Sequence, residues 1–315
     1  MKLPELRIGN LKPAIPIMQG GMAVRISTAS LAAAVANEGG IGIIAASGMS
    51  PQELREEIRQ ARALSSGIIG INIMYAVTAF AEIFKTALQE GIDLVVSGAG
   101  FSRDMFAWGK EANVPVVPIV STVKLAKISE KLGAQAVVVE GKEAGGHLGT
   151  DCSVLEIVPE VKESVRIPVI AAGGIVEGRD MVRAIKSGAD GVQIGTRFAA
   201  SEESNAAANL KEVYIRAGKE DIVLIDSPVG LPGRAIRNAF SERIAAGEVF
   251  SPAKCNKCLK SCKGNFCIMK ALKNAQQGNL EEGLVFAGEF VDKIKKLMSV
   301  KEIIRTLLQE VEVSI

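Results

Sequence analysis

Residues 168–175 have the sequence Pro-Val-Ile-Ala-Ala-Gly-Gly-Ile, an apolar run that contains two adjacent glycines. It is one of eight such runs in the first 200 residues, most of which end at or beside glycine or a small polar residue. Runs that are apolar throughout, without alternating polar residues, are typical of strands buried on both faces of a parallel sheet. The runs predict strands at residues 15–20, 40–47, 68–74, 94–100, 114–120, 136–141, 168–174 and 191–196.

Amphipathic segments with helical spacing separate these runs. They cover residues 28–38, 51–64, 79–90, 102–112, 122–132, 154–164 and 178–187. This alternation of strand and helix predicts a TIM barrel, the closed (β/α)8 fold of the α/β class. An open doubly wound sheet is disfavoured, because no strand is followed by a G-x-G-x-x-G turn with an acidic residue about twenty positions later.

Composition limits the function classes. The chain has 315 residues, a net charge of +2 at pH 7 and only 4% aromatic residues. This length suffices for a barrel with a smaller appended region. Acidic and basic residues are interspersed, so no large positive field favours nucleic-acid binding. The first five residues lack the apolar core of a signal peptide, and no apolar run is long enough to span a membrane. We therefore expect a soluble, cytoplasmic protein without nucleic-acid or membrane partners.

The last two predicted strands end in residues suited to a phosphate group. One ends in Gly173 and Gly174, and the other ends in Gly195 and Thr196. A parallel barrel forms its active site at the C-terminal ends of its strands and commonly binds phosphate after the last two. Glycine lets the phosphate come close to backbone N–H groups, since no Cβ stands in the way. These ends favour a phosphate-bearing cofactor over ordinary turns.

The only histidine of the chain, His147, ends a glycine-rich turn that follows the sixth predicted strand. The turn covers residues 140–147 and has the sequence Glu-Gly-Lys-Glu-Ala-Gly-Gly-His. An imidazole titrates near neutral pH, so His147 is a candidate catalytic group. The alternative is a histidine that makes only a structural hydrogen bond.

Four segments in the barrel region carry a family resemblance. Residues 17–22, 140–149, 168–175 and 191–198, in this order, resemble the nitronate monooxygenase (2-nitropropane dioxygenase) family and its close relative, flavin-dependent enoyl-ACP reductase II. Residues 283–288 resume the resemblance near the C-terminus.

The resemblance implies an oxidoreductase that binds FMN and a small-molecule substrate, with His147 as the catalytic residue. The residues implied for the FMN phosphate are Gly173, Gly174, Gly195 and Thr196. Those implied to lie near the isoalloxazine ring are Gly21, Met22, Ala23 and Asn72. Those implied to line the flavin elsewhere are Glu140, Gly145, Gly146 and Gln193.

Two chemistries fit such a site. A neutral imidazole beside a flavin can remove an α-proton from a nitroalkane, whose nitronate is then oxidised with O2. In an NAD(P)H-dependent reductase of the enoyl-thioester or quinone type, the same imidazole can orient a carbonyl or donate a proton. A flavin-binding electron carrier without turnover is a third class. The histidine disfavours the carrier, because a carrier needs no proton donor.

A second feature lies outside the predicted barrel. Four of the five cysteines, Cys255, Cys258, Cys262 and Cys267, have the spacing C-x2-C-x3-C-x4-C. In a cytosolic protein this density predicts a metal site, with an iron–sulfur cluster favoured and zinc as the alternative, rather than disulfides. The surrounding lysines, which would lower the thiol pKa values, are Lys254, Lys257, Lys260 and Lys263. A redox cluster beside a flavin would favour the reductase.

The distribution of strand and helix patterns along the chain also predicts the domain organisation. Residues 1–199 and 279–315 are expected to form the FMN-binding barrel, and residues 200–278 a helical cap that carries the four cysteines. Helical spacing within or after the cap covers residues 205–217, 234–246 and 281–308, with a turn region at 226–233. The apolar residues of the cap would also suit a homodimer surface.

Overall fold

The computed structural model describes residues 3–250 and 255–314 and contains a closed parallel barrel. Its strands are β1 (Ile17–Gln19), β2 (Ile41–Ala45), β3 (Ile68–Met74), β4 (Leu94–Gly98), β5 (Val116–Val120), β6 (Val137–Glu140), β8 (Val169–Ala172) and β9 (Gly191–Ile194). They pair in this order, and β9 closes on β1 through the register Met18↔Gln193. The predicted TIM barrel is confirmed.

Helices on the outside connect the barrel strands. They are α1 (Ala29–Asn37), α2 (Pro51–Leu64), α3 (Phe80–Gln89), α4 (Arg103–Glu111), α5 (Val123–Leu132), α6 (Val154–Ser164) and α7 (Gly178–Lys186). The short helix α8 (Thr196–Ala199) follows the last barrel strand, β9. Ser50 and Ser153 begin α2 and α6 with capping boxes, in which serine and a glutamate three residues later satisfy each other's backbone N–H groups. Among the described residues, no helix is both long and apolar enough to cross a membrane.

The barrel interior is a packed aliphatic core. Met18, Ile43, Val96 and Ile170 are fully buried in one cluster, which Leu6 from the N-terminal segment joins. A Cβ on Gly191, at the start of β9, would lie 3.0 Å from Leu6 Cδ2, so Leu6 packs at the N-terminal end of the barrel. The opposite end is therefore the one left for a ligand.

A small antiparallel sheet stands at that opposite end. It consists of β7 (Gly146–His147), β10 (Ile222–Asp226) and β11 (Pro232–Ile236), in the order β10-β11-β7. The predicted helix at residues 234–246 is therefore wrong in its first part, and helix α10 covers only Ala239–Ala245. The reason is tertiary pairing: β11 bonds to β7 on one side and β10 on the other, which overrides local helical spacing.

The rest of the predicted cap is only partly helical. Its helices are α9 (Ala208–Arg216), α10 and α11 (Ile268–Gln276), so a purely helical cap is not confirmed. Of the predicted helix at residues 281–308, only the part from Val300 onward is α-helical, as α12 (Val300–Val313). In the preceding stretch Phe286 is bridged to Ala235 of β11, and Val291–Lys293 form a single 3-10 turn.

Helix α12 packs on the barrel beside α7. Ile303, Leu307 and Val311 share a buried cluster with Met181, and Glu310 accepts the backbone N–H of Gly178 at 2.6 Å. Residues 1–2 and 315 of the predicted barrel domain, and Lys254 of the predicted cysteine segment, lie outside the described residues.

Candidate active site

A cavity of about 250 Å³ opens at the C-terminal ends of the barrel strands. It brings together every residue predicted for the cofactor and for catalysis, although these residues are spread over more than 170 positions of sequence. They are Gly21, Met22, Ala23, Asn72, Glu140, Gly145, Gly146, His147, Gly173, Gly174, Gln193, Gly195 and Thr196. Their individual roles stay predictions.

Buried polar groups shape the loop that follows β1. The Gln19 amide donates to Ser27 Oγ at 2.9 Å and accepts the Ile43 backbone N–H at 2.9 Å. Ser27 Oγ also accepts the Met22 backbone N–H at 3.0 Å. A Cβ on Gly21 would lie 2.2 Å from Asn72 Cβ, so only glycine allows this approach. The turn that carries Gly21 and Met22 is thus hydrogen-bonded to Ser27 and packed against Asn72 of β3.

The neighbouring strand ends, after β8 and β9, have the features of a phosphate cradle. Gly173 and Gly174 follow β8 with φ of 106° and 70°, in the left-handed region that favours glycine. The backbone N–H groups of Gly174 and Gly195 make no hydrogen bond within the described residues. A Cβ on Gly195 would meet only Met22 Sδ, at 3.9 Å, so the space beside Gly195 is open.

The 283–288 segment closes over the cavity. The Gly288 N–H donates to Thr196 Oγ1 at 2.9 Å, which leaves the threonine hydroxyl hydrogen free for another acceptor. A Cβ on Gly145 would lie 2.5 Å from the backbone carbon of Ala287, so the histidine turn and this segment touch directly. The contact explains why both segments take part in one resemblance although 135 residues lie between the histidine turn and residue 283.

The residues present fit FMN. The Oε1 atom of Gln193 is buried without a hydrogen-bond partner among the described residues, and the side chain lines the cavity. A buried acceptor left unpaired costs about 1–3 kcal/mol, so it calls for a donor from a ligand. Together with the free amides at Gly174 and Gly195, it matches a ligand that has both N–H donors and phosphate oxygens.

His147 is fixed by three contacts. As part of β7 it is paired with Gly233 of β11. Its Nε2 atom lies 2.7 Å from Ser227 Oγ, in the turn between β10 and β11, and Ser227 is fully buried. Its ring packs edge-to-face on Phe286, with centroids 5.2 Å apart. Burial lowers the pKa of His147 to about 4, so the imidazole is neutral at physiological pH.

Glu140 places a carboxyl group in the same cavity, at the end of β6. Burial raises the pKa of this carboxyl to about 8, so it is mostly protonated at neutral pH. A protonated carboxyl can donate a hydrogen bond, which a carboxylate cannot. The site therefore combines a neutral histidine with a neutral carboxylic acid.

We expect replacement Glu140→Gln to remove a pH-dependent cost to stability. Between the ordinary value of 4.5 and about 8, the unfolded chain releases the Glu140 proton and the folded protein does not. The free energy of unfolding therefore falls as pH rises through this window. Thermal unfolding should show a Tm advantage of E140Q over the wild type that grows from pH 5 to pH 8 by about 2–4 °C or more.

The matched control for this prediction is Glu163→Gln, which changes an exposed glutamate on α6. Its Tm difference from the wild type should stay constant over the same pH range. Equal pH profiles for E140Q and the wild type would contradict the assignment of a protonated Glu140.

The described part of the four-cysteine segment, residues 255–267, contributes no residue to the lining of the cavity. Its backbone docks on the loop after β3, where Leu259 bridges Val77 and the Thr78 N–H donates to the Cys258 carbonyl at 2.9 Å. All four thiols are free, and Cys255 and Cys262 are exposed. The described residues contain no group of three or more His, Cys, Asp or Glu side chains arranged to hold a metal ion. The predicted iron–sulfur or zinc site is therefore not confirmed.

The lysines of the segment serve in docking. Lys260 Nζ lies 3.4 Å from the centroid of the Tyr75 ring, and Lys263 Nζ pairs with Asp226 at 2.6 Å. Burial, followed by the neighbouring Cys267, raises the pKa of the Cys258 thiol. The expected lowering of this thiol's pKa by lysines is thus wrong.

Sequence reasoning missed the residues that hold His147 in place. Ser227 is 80 positions away in the chain, and Phe286 lies in a stretch that was expected to be helical. The roles of Gln19 and Ser27 were missed as well, because these two side chains bond to each other and to the backbone N–H groups of Ile43 and Met22. A single sequence carries no signal for such pairings.

Comparison with known proteins agrees with the geometry. A family model described as nitronate monooxygenase matches residues 6–310. A probable nitronate monooxygenase of Staphylococcus aureus is 32% identical over 278 residues, which cover 74% of this chain and 78% of that protein. The structure of FabK from Thermotoga maritima is 35% identical with a TM-score of 0.88, covering 96% of this chain and 94% of that chain.

Two further matches differ in how much they cover and in what they show. A Mycobacterium tuberculosis protein named (3aS,4S,5R,7aS)-5-hydroxy-7a-methyl-1-oxo-octahydro-1H-indene-4-carboxyl-CoA dehydrogenase is 33% identical over 235 residues. The match covers 74% of this chain but only 66% of that protein, just under two thirds of its length. A nitroalkane oxidase from Streptomyces ansochromogenes has a TM-score of 0.83 at 24% identity, over 96% of this chain and 97% of that one, and shares the fold.

Proposed function

The chain belongs to the nitronate monooxygenase family and is an oxidoreductase, and on that premise we propose that it uses FMN to oxidise alkyl nitronates or nitroalkanes with O2. The observation that carries this proposal is that three features line the same cavity: the unpaired Gln193 oxygen, the free amides of Gly174 and Gly195, and a neutral His147. The relatives named for nitronate oxidation support the same activity.

Different residues would bind the cofactor and act on the substrate. Gly174, Gly195 and Thr196 would hold the FMN phosphate, and Gly21, Asn72 and Gln193 would hold the ring. When bound, FMN supplies the redox chemistry that carries electrons from the substrate to O2. The closing 283–288 segment would limit the access of water to the cofactor.

His147 would act on the substrate through the ring nitrogen that Ser227 leaves free. That atom, Nδ1, makes no hydrogen bond within the described residues, and the side chain lines the cavity. With a hydrogen on it, Nδ1 can donate to an oxygen of a nitronate. Without one, it can accept the α-proton of a nitroalkane.

We propose as a second candidate an NAD(P)H-dependent reductase of the enoyl-thioester or quinone type. The Mycobacterium tuberculosis relative is named for a carboxyl-CoA compound, which supports a thioester substrate for this site. Apolar side chains that line the cavity, among them Ile26, Leu210, Leu272 and Leu284, suit an acyl chain. In this reaction His147 would donate a hydrogen bond to the thioester carbonyl.

Anaerobic reduction distinguishes the two candidates. We expect an alkyl nitronate to bleach the visible absorbance of the FMN-bound protein in the absence of O2, and NADH and NADPH to leave it unchanged. Rapid bleaching by NADH or NADPH would instead support the reductase. Free FMN mixed with the same reagents is the control for direct reaction, and no bleaching by any of the three donors would contradict both candidates.

A further inference from the structure

The hydrogen bond between Ser227 and His147 determines which ring nitrogen of the neutral imidazole carries the hydrogen. The hydroxyl oxygen of Ser227 lies 2.7 Å from His147 Nε2, and the residue is fully buried in the turn between β10 and β11. The same oxygen accepts the Val229 backbone N–H at 3.4 Å. One lone pair of the hydroxyl is thus in use, and its hydrogen still needs an acceptor.

Among the described residues, His147 Nε2 is the acceptor within reach of that hydrogen. If Nε2 carried a hydrogen and donated it to Ser227, the serine hydrogen would be buried without a partner, which is costly in a protein interior. When Nε2 accepts instead, both groups are satisfied. The hydrogen of the neutral imidazole then resides on Nδ1.

The four-cysteine segment holds Ser227 in this place. On one side of the serine, Asp226 pairs with Lys263 Nζ at 2.6 Å, and its carbonyl accepts from Asn265 Nδ2 at 3.1 Å. On the other side, the Pro228 carbonyl accepts the Lys263 backbone N–H at 2.9 Å. The serine is therefore fastened at both neighbouring residues and cannot easily turn away from the imidazole.

We propose that Ser227 is a positioning residue that keeps neutral His147 in its Nδ1–H tautomer, so that the histidine presents a hydrogen-bond donor to an oxygen atom of the substrate. This inference rests on the proposed function in one respect, namely that His147 meets the substrate. It favours substrates whose acceptor oxygen is present from the start, such as a nitronate or a thioester carbonyl. A neutral nitroalkane would require the other tautomer to lose its α-proton.

The single histidine makes a direct test possible. Protein labelled with 15N-histidine and loaded with FMN gives one imidazole in long-range 1H–15N spectra, from which the protonated nitrogen is identified near pH 7. We expect Nδ1–H to exceed Nε2–H in the wild type by about tenfold, a ratio that one ordinary hydrogen bond supports. In Ser227→Ala the excess should disappear, and Ser227→Thr, which keeps the hydroxyl, should restore it.

A matched control is Ser129→Ala, because Ser129 is also fully buried and lies on α5, outside the cavity lining. This variant should leave the histidine spectrum unchanged. A wild-type spectrum dominated by Nε2–H, or by a doubly protonated ring, would overturn the proposal even if Ser227→Ala failed to fold. An unchanged tautomer ratio in folded Ser227→Ala would overturn it as well.

The test separates this proposal from the proposed function. The spectra need no substrate, so the tautomer result stands if the protein fails to oxidise nitronates. Conversely, full turnover by a variant without His147 would show that the histidine does not act on the substrate, and it would leave the tautomer ratio of the wild type untouched.

Discussion

Replacement of His147 by alanine is expected to lower turnover by roughly 100-fold or more, the range for a positioned acid or base, while FMN stays bound. The reason for the selective loss is position. His147 lies on β7 beside Ser227 and Phe286, whereas the free amides predicted to hold the phosphate follow β8 and β9. Steady-state turnover and the flavin absorbance of the same preparation measure the two effects.

The control for this variant is His147→Gln. Glutamine can offer Ser227 a polar partner in place of Nε2, so it preserves the buried hydrogen bond but cannot transfer a proton near neutral pH. Both variants should therefore be slow, and His147→Gln should be the more stable. Near-normal turnover in either variant would show that His147 has only a structural role.

His147 also makes the free energy of unfolding depend on pH in the acid range. Because burial lowers the pKa of His147 from 6.5 to about 4, the unfolded chain binds a proton in this window and the folded protein does not. The free energy of unfolding thus declines as pH falls from 6.5 to about 4. His147→Gln should lack this part of the decline.

The barrel could be predicted from the sequence because its signal is repeated and local. Every strand of a parallel barrel is buried on both faces, so runs such as the one at residues 168–174 are apolar from end to end. The C-terminal ends of parallel strands must meet at one mouth of the barrel. The convergence of Asn72, Gly173 and Gly195 in one cavity followed from that rule.

The region after the barrel could not be predicted in the same way. Residues Arg234, Ala235 and Ile236 carry no strand signal of their own, and they become a strand because β7 and β10 flank them. Similarly, Phe286 is held extended by its bridge to Ala235 rather than by its neighbours in the chain. Both errors arise where long-range pairing outweighs local propensity.

The cysteine segment shows a second reason why a site cannot be predicted from sequence alone. Their spacing established that four thiols lie close along the chain, but the directions of the side chains depend on how the backbone docks. Here Cys258 and Leu259 are fixed against Thr78 and Val77, which leaves Cys255 and Cys262 facing solvent. The segment's observed contacts lead to the turn that carries Ser227, a link that spacing could not reveal.

Replacement of Gly195 by valine is expected to weaken FMN binding strongly while the protein stays folded. The Gly195 N–H is free, and a Cβ at this position would meet only Met22 Sδ, at 3.9 Å. Valine methyl groups would therefore extend into the open space beside Gly195, which the phosphate is predicted to occupy. Displacing the phosphate from its charge-assisted hydrogen bonds should weaken FMN binding by about 100-fold or more.

Gly195 gives a cleaner test than Gly174, which is the other glycine of the predicted cradle. Gly174 has a φ of 70°, and a Cβ there would lie 3.0 Å from Phe290 Cε2, so a side chain would strain the fold itself. At Gly195 the graded pair Gly195→Ala and Gly195→Val separates the causes: alanine adds one carbon in free space and should weaken FMN binding far less than valine. Thermal unfolding and titration with FMN measure fold and affinity independently. Stoichiometric FMN in folded Gly195→Val would place the phosphate elsewhere in the cavity.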